Sequence, residues 1–139
     1  MADLTTLIRL HKHELDEKRR VLSDLYTGMA QLEHQRRELE RAFEREKKAA
    51  GDAGNIHFTF PQYVEKTNRE RKVLDDQEAA LEKKIAAAKD SMMETFSELK
   101  KYEMTQEERD RIAEEERQFK ESREMDAVGL EVFLRKSEE

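Results

Sequence analysis

Between Leu4 and Phe43 the apolar residues fall at alternating steps of four and three: Leu4, Ile8, His11, Leu15, Lys18, Leu22, Leu25, Met29, Leu32, Arg36, Leu39 and Phe43. Nine of these twelve positions are apolar, a spacing that puts one narrow stripe on a helix and suits it to pairing with another helix. A second run repeats the pattern at Val64, Thr67, Arg71, Leu74, Glu78, Leu81, Ile85, Ala88, Met92, Thr95, Leu99 and Tyr102, with eight of twelve apolar. A repeat of 3.5 residues maintained over this length implies a left-handed supercoil. The stripes are narrow and the flanks are charged. Spacings such as Glu33 with Arg37, or Arg36 with Glu40, meet on a helix surface but add only a few tenths of a kcal/mol each, so the seam must supply most of the association energy.

Between the two runs lies Ala50-Gly51-Asp52-Ala53-Gly54-Asn55-Ile56-His57-Phe58-Thr59-Phe60-Pro61, where Gly, Asn and Pro cluster. Gly51 and Gly54 are suited to stop a helix in the left-handed region. Thr59 followed by Gln62 has the spacing of a capping box, and Pro61 falls in a first turn, where its missing N–H is not needed. The stretch therefore reads as a hairpin tip. The expected fold is all-α: an elongated two-helix antiparallel coiled-coil hairpin forming a single domain over residues 1–139. Helix 1 is placed at about 3–50, the tip at 51–58 and helix 2 at about 59–134, roughly 70 and 110 Å long. Folding back at the tip places Phe43 near Lys66 and Leu4 near Thr105.

Composition agrees with this reading. The chain of 139 residues is 43% charged and 36% hydrophobic, with one Pro and a mean hydropathy of −1.05. That is too little apolar material for a layered domain; it fits disorder or long amphipathic helices, and the period decides for helices. Apolar runs are too short to cross a bilayer. The start lacks the blocks of a signal peptide, and with no Cys there is no disulfide or thiolate chemistry, so a cytoplasmic protein is expected. A formal charge of −6 argues against general nucleic-acid binding, which needs a net basic footprint.

Beyond Tyr102 the seam changes character. Thr105 and Glu108 have capping-box spacing, which marks either a kink near 103–105 or a threonine facing water on an uninterrupted helix. From Thr105 to Asp126 the strongly apolar residues are only Ile112, Phe119 and Met125, so this part reads as a solvated helix overhanging the hairpin. Residues 127–136, Ala-Val-Gly-Leu-Glu-Val-Phe-Leu-Arg-Lys, then form an apolar terminal patch, either a docking site or a frayed tail.

No constellation points to catalysis. His11 and His13, two residues apart, face different sides of a helix, whereas a helical metal pair needs a spacing of four. His34 and His57 are isolated. Glu114-Glu115-Glu116 lacks the central Gly of a calcium loop, and no phosphate-binding GxxxxGK[ST] loop is present. A two-helix pair offers no water-excluded site for acid/base work, so neither an enzyme nor a cofactor is expected. Other features suit contacts with proteins. Arg36, Arg37, Arg41, Arg45, Lys47 and Lys48, continued by Lys66, Arg69, Arg71 and Lys72, are either solubilising residues or a contact for an acidic surface. Lys18, Arg36, Arg71 and Glu78 in the seam either weaken pairing or snorkel outward. Phe58, Phe60 and Tyr63 with Phe43 are either a staple across the cap or an exposed anchor.

Over nearly its full length the chain resembles the flagellar export protein FliJ family, small antiparallel coiled coils of the flagellar type III export apparatus. The resemblance rests on size and the two-arm pattern. It also rests on Leu7 and Leu10 near a short polar start, on Phe60-Pro61-Gln62-Tyr63-Val64 after the tip, and on an acidic third segment ending Met125-Asp126 and then Arg135-Lys136. It implies a fold similar to the coiled coil of the rotary ATPase gamma subunit. The implied role is that of a non-catalytic stalk or adaptor at the cytoplasmic face of the inner membrane, with no insertion into the membrane. Such a stalk enters and promotes the export ATPase hexamer, contacts the export gate membrane protein near the tip and handles export chaperones. The gate surface would fall on Gln35, Leu39 and Tyr63, with Phe60 beside it, and the ATPase-ring surface on Leu4, Leu7, Val128, Leu130 and Phe133. Ala42 and Glu46 stand where the family often has further aromatics, and Thr67 where it has a larger apolar residue.

Other readings compete with this one. The injectisome counterpart of the same stalk is a close variant. A prefoldin-like chaperone hairpin would need strands flanking its helices, and the termini show no alternating pattern. A homodimeric rod would pair its heptads between chains, which Gly51 and Gly54 disfavour.

Overall fold

The structure is a computed structural model describing residues 4–52 and 59–138. It is all-α, with two helices, α1 (Thr5–Asp52) and α2 (Phe60–Ser137), and no strand among the described residues. The Ile8 N–H donates to the Leu4 carbonyl at 2.8 Å, so Leu4 opens α1. Thr59 caps α2 in the same way, its carbonyl accepting from Tyr63 N–H at 3.0 Å, with Pro61 in the first turn as expected.

Two boundaries differ from expectation. Gly51 and Asp52, assigned to the tip, are the last residues of α1; Gly51 is helical and not left-handed, and a Cβ there would meet nothing within 4 Å. Gly54 and the rest of the tip, residues 53–58, lie outside the described residues. Of the two readings at residues 103–105, the uninterrupted helix holds: α2 runs through them with Thr105 exposed. The Thr105 hydroxyl donates to the Lys101 carbonyl at 2.8 Å, a bond within the helix, where a cap would bond forward to an amide. At its far end α2 continues past residue 134 to Ser137, aided by the Arg135–Glu131 pair and the Ser137 hydroxyl bonded to the Leu134 carbonyl.

The apolar period is reproduced position by position. All twelve seam residues named on each helix are buried or half-buried, the most enclosed being Thr67, Thr95, Leu99, Leu15, Leu74 and Ile85. A seam of this kind is one side chain thick, so a residue of one helix reaches only the few facing residues of the other, and contacts are local along the chain. They gather into two units, one of Met1–His13 with Phe96–Glu139 and one of Glu14–Thr95.

In the Glu14–Thr95 unit the helices are antiparallel. Along α1 from Lys18 through Gly28, Arg36 and Glu40, the facing residue on α2 moves back from Thr95 through Leu81 and Glu78 to Arg71. Phe43 lies between Phe60, Tyr63 and Arg71, around the expected level of Lys66. In the other unit Leu4 N–H donates to Gln106 Oε1 at 3.2 Å and His11 faces Glu98 and Tyr102, again antiparallel and within a residue of the expected register. Beyond Gln106 every described residue of α2 is exposed.

Candidate docking surfaces

The charged residues of the seam find partners across it. Arg36 Nη2 bonds Asp75 Oδ1 at 2.8 Å and Glu78 Oε2 at 2.7 Å. Arg71 grips Glu40 through both carboxylate oxygens, Nε at 2.7 Å and Nη2 at 2.8 Å, while its Nη1 donates to Asn68 Oδ1. Hydrogen bonds from Arg71, and then its charge, hold the Glu40 carboxyl below the usual carboxylate range. The Lys18 ammonium donates to the Ser91 carbonyl at 3.2 Å and to the Thr95 hydroxyl. Such contacts fix which turn of α1 meets which turn of α2, because any slip strands a half-buried charge.

Above Arg71 the tip aromatics close into a cluster. Phe43 stacks on Phe60 at 6.3 Å between ring centres and on Tyr63 at 6.4 Å, and the Arg71 guanidinium lies 4.7 Å from the Phe43 ring. Phe60 and Tyr63 are half-buried on this stack, so the structure favours the staple over a freely exposed anchor for these two; Phe58 lies outside the described residues.

Next to the cluster, on one flank of the seam, is an open groove of about 870 Å³. Its floor is Leu39, Ala42, Leu74 and Val73, the last 54% exposed. Ala42 contributes only a methyl group to this lining. Gln35 and His34 border one end, and Arg45, Lys66 and Arg69 border it alongside Glu38 and Glu70. Gln35 and Leu39, expected at a gate surface, both line this groove, whereas Tyr63 and Phe60 belong to the adjoining stack. Arg45, Lys66 and Arg69 belong to the basic stripe weighed from the sequence as a contact for an acidic surface, whereas Val73 was not singled out. An apolar residue off the seam, next to a short residue beside it, is the signal that marks it.

The residues expected at the ATPase ring do not come together. Leu4 and Leu7 are half-buried against α2 in the Met1–His13 with Phe96–Glu139 unit, Leu4 at the level of Gln106. Val128, Leu130 and Phe133 are 57%, 61% and 67% exposed on the same helix, beginning about 33 Å farther along its axis. These are two surfaces, and the exposed one also includes Val132 and Leu134.

His11 occupies the seam as expected. Its Nδ1 is 2.9 Å from the Leu7 carbonyl, its Nε2 is 3.3 Å from the Glu98 carboxylate, and its ring packs on Tyr102 at 4.9 Å. His13 and His34 are exposed, and His57 lies outside the described residues. Among the described residues no group of three or more His, Cys, Asp or Glu could hold a metal ion, and no helix is long and apolar enough to cross a membrane. No protein-family model, curated protein or solved structure matches the chain.

Proposed function

We propose that this chain is a non-catalytic stalk or adaptor of the flagellar type III protein export apparatus, working at the cytoplasmic face of the inner membrane. The exposed end of α2 enters the export ATPase hexamer and promotes its action. The groove floored by Leu39 and Val73 takes the export gate protein, and export chaperones are further partners. The observation that carries this reading is the run of apolar residues from Val128 to Leu134, left exposed at the end of a helix that is unaccompanied after Gln106. Apolar surface of this kind, on a helix with a charged stem, is suited to burial in another protein. The resemblance to the FliJ family supplies the identity of the partners.

Turnover of a purified export ATPase, measured with and without the chain, tests the first contact. Stimulation that is lost in Leu130→Ser with Phe133→Ser is expected. A compact dimer by light scattering with no effect on turnover overturns the reading and favours a self-assembling rod. For the second contact, recovery of the gate protein's soluble domain should fall for Leu39→Asp and Gln35→Ala; equal recovery removes the groove from the proposal.

A further inference from the structure

The part of α2 between the seam and the apolar end is exposed at every described residue from Glu107 on. Continuing the alternation of four and three from Tyr102 leads to Gln106, Arg109, Ala113, Glu116, Lys120 and Arg123, a charged line that no apolar partner helix would match. The strongly apolar residues here, Ile112, Phe119 and Met125, are spaced seven and six apart and are 43%, 64% and 73% exposed, too sparse for a stripe.

What this part has is a set of bonds to itself. Arg111 forks onto both oxygens of Glu108, three residues before it, with Nε at 3.1 Å from Oε2, and reaches Glu115, four residues after it, at 2.6 Å. Arg117 repeats the arrangement six residues later, forking onto Glu114 with Nε at 3.0 Å and reaching Glu121. Gln106 bonds Asp110 at 2.8 Å and Gln118 bonds Glu114 at 3.3 Å, while the Arg123 guanidinium lies 5.9 Å from the Phe119 ring. Each bond links adjacent turns of one helix, so breaking the helix breaks it. Single pairs of this type are weak, but here they overlap, each arginine tying three successive turns. The residues between are mostly Glu, Arg, Gln, Lys and Ala, which favour helix intrinsically. Nucleation, the unfavourable step in forming a lone helix, is already met by the paired part of α2, from which this stretch only propagates.

We propose that residues 107–126 are a self-supporting charged helix, a stiff spacer that holds the apolar segment 127–134 at a fixed reach of about 30 Å beyond Gln106. Its order comes from the arginine clamps, so it persists in the free protein. The role is mechanical: a target that engages the apolar end is held at a set distance from the paired helices. This is independent of which target that is.

Because the chain has no cysteine, spin labels can be placed on the full-length protein at Met104→Cys and Lys136→Cys, both exposed positions. Pulsed dipolar spectroscopy is expected to give one narrow distance near 48 Å, the helical rise over that span, where a flexible chain would give a broad distribution near 30 Å. Adding Arg111→Gln with Arg117→Gln should shorten and broaden the distribution. A second label pair at Val21→Cys and Met93→Cys, reporting on the seam, should not change. A broad distribution in the unmodified protein overturns the proposal, and so does a clamp-free variant as narrow as the parent, since the clamps would then not be the source of order.

Discussion

Glu40 and Arg71 show how a charge in a coiled-coil seam becomes a register mark. Neither is enclosed, yet the guanidinium meets both carboxylate oxygens at hydrogen-bond distance and lies over Phe43 as well. The Glu40 pKa is lowered in the folded chain, so the pair's contribution is complete above the ordinary carboxylate range and is lost as pH falls through the depressed value. In Arg71→Met the Glu40 carboxyl is expected to titrate at a higher pH, close to an ordinary glutamate, in a carbon-detected NMR titration; an unchanged midpoint would show that the fork does not form in solution. Spacing identified Arg36, Arg71 and Glu78 as seam residues, but it did not say what they would meet. The choice among Glu40, Asp75 and Glu78 as partners depends on the facing turn of the other helix, and the two turns are remote in sequence. Gly28 makes a second residue-scale case. A Cβ there would sit 3.5 Å from Leu81 Cδ2, ordinary contact distance, so Gly28→Ala should raise stability in urea by about 0.5–1 kcal/mol through lower backbone entropy in the unfolded chain.

The two helices obey different physics along their lengths. Where α1 and α2 pair, order depends on a few enclosed side chains, and Leu15, 5% exposed, is one of the four buried apolar residues among those described. Leu15→Ala should lower the free energy of unfolding by about 2–3 kcal/mol, the low end of the range for buried leucines, because a seam one residue thick relaxes into the space left behind. Ile112→Ala, on the exposed stretch of α2, should change it by less than about 0.5 kcal/mol in the same urea titration. The alternation of four and three was enough to assign every one of the twenty-four seam positions, since burial on a paired helix follows period alone. Helix ends were less legible: α1 outlasted Gly51 and α2 outlasted residue 134. Glycine and an apolar run are permissive at such positions, and a helix already formed extends at little cost.

For the whole molecule, stability and interaction should separate. Leu130→Ser with Phe133→Ser alters side chains that are 61% and 67% exposed, so the urea midpoint is expected to stay where it is while the proposed ATPase stimulation is lost; a lower midpoint would mean that the apolar end is folded back onto the protein in solution. The heptad spacing by itself determined the all-α fold, the seam residues and the exposed end of α2, because all three depend on periodicity within one segment. Only the tertiary structure decided that Leu4 and Leu7 are half-buried against α2 and apart from Val128, Leu130 and Phe133, that Phe60 and Tyr63 stack on Phe43, and that Ala42 and Val73 line a groove. Those facts depend on which residues of one helix face which of the other. Folding back at the tip placed the register to within about a residue, but which side chains then bond, such as Arg36 with Glu78 and Lys18 with Thr95, is decided between residues dozens of positions apart and no local pattern encodes it.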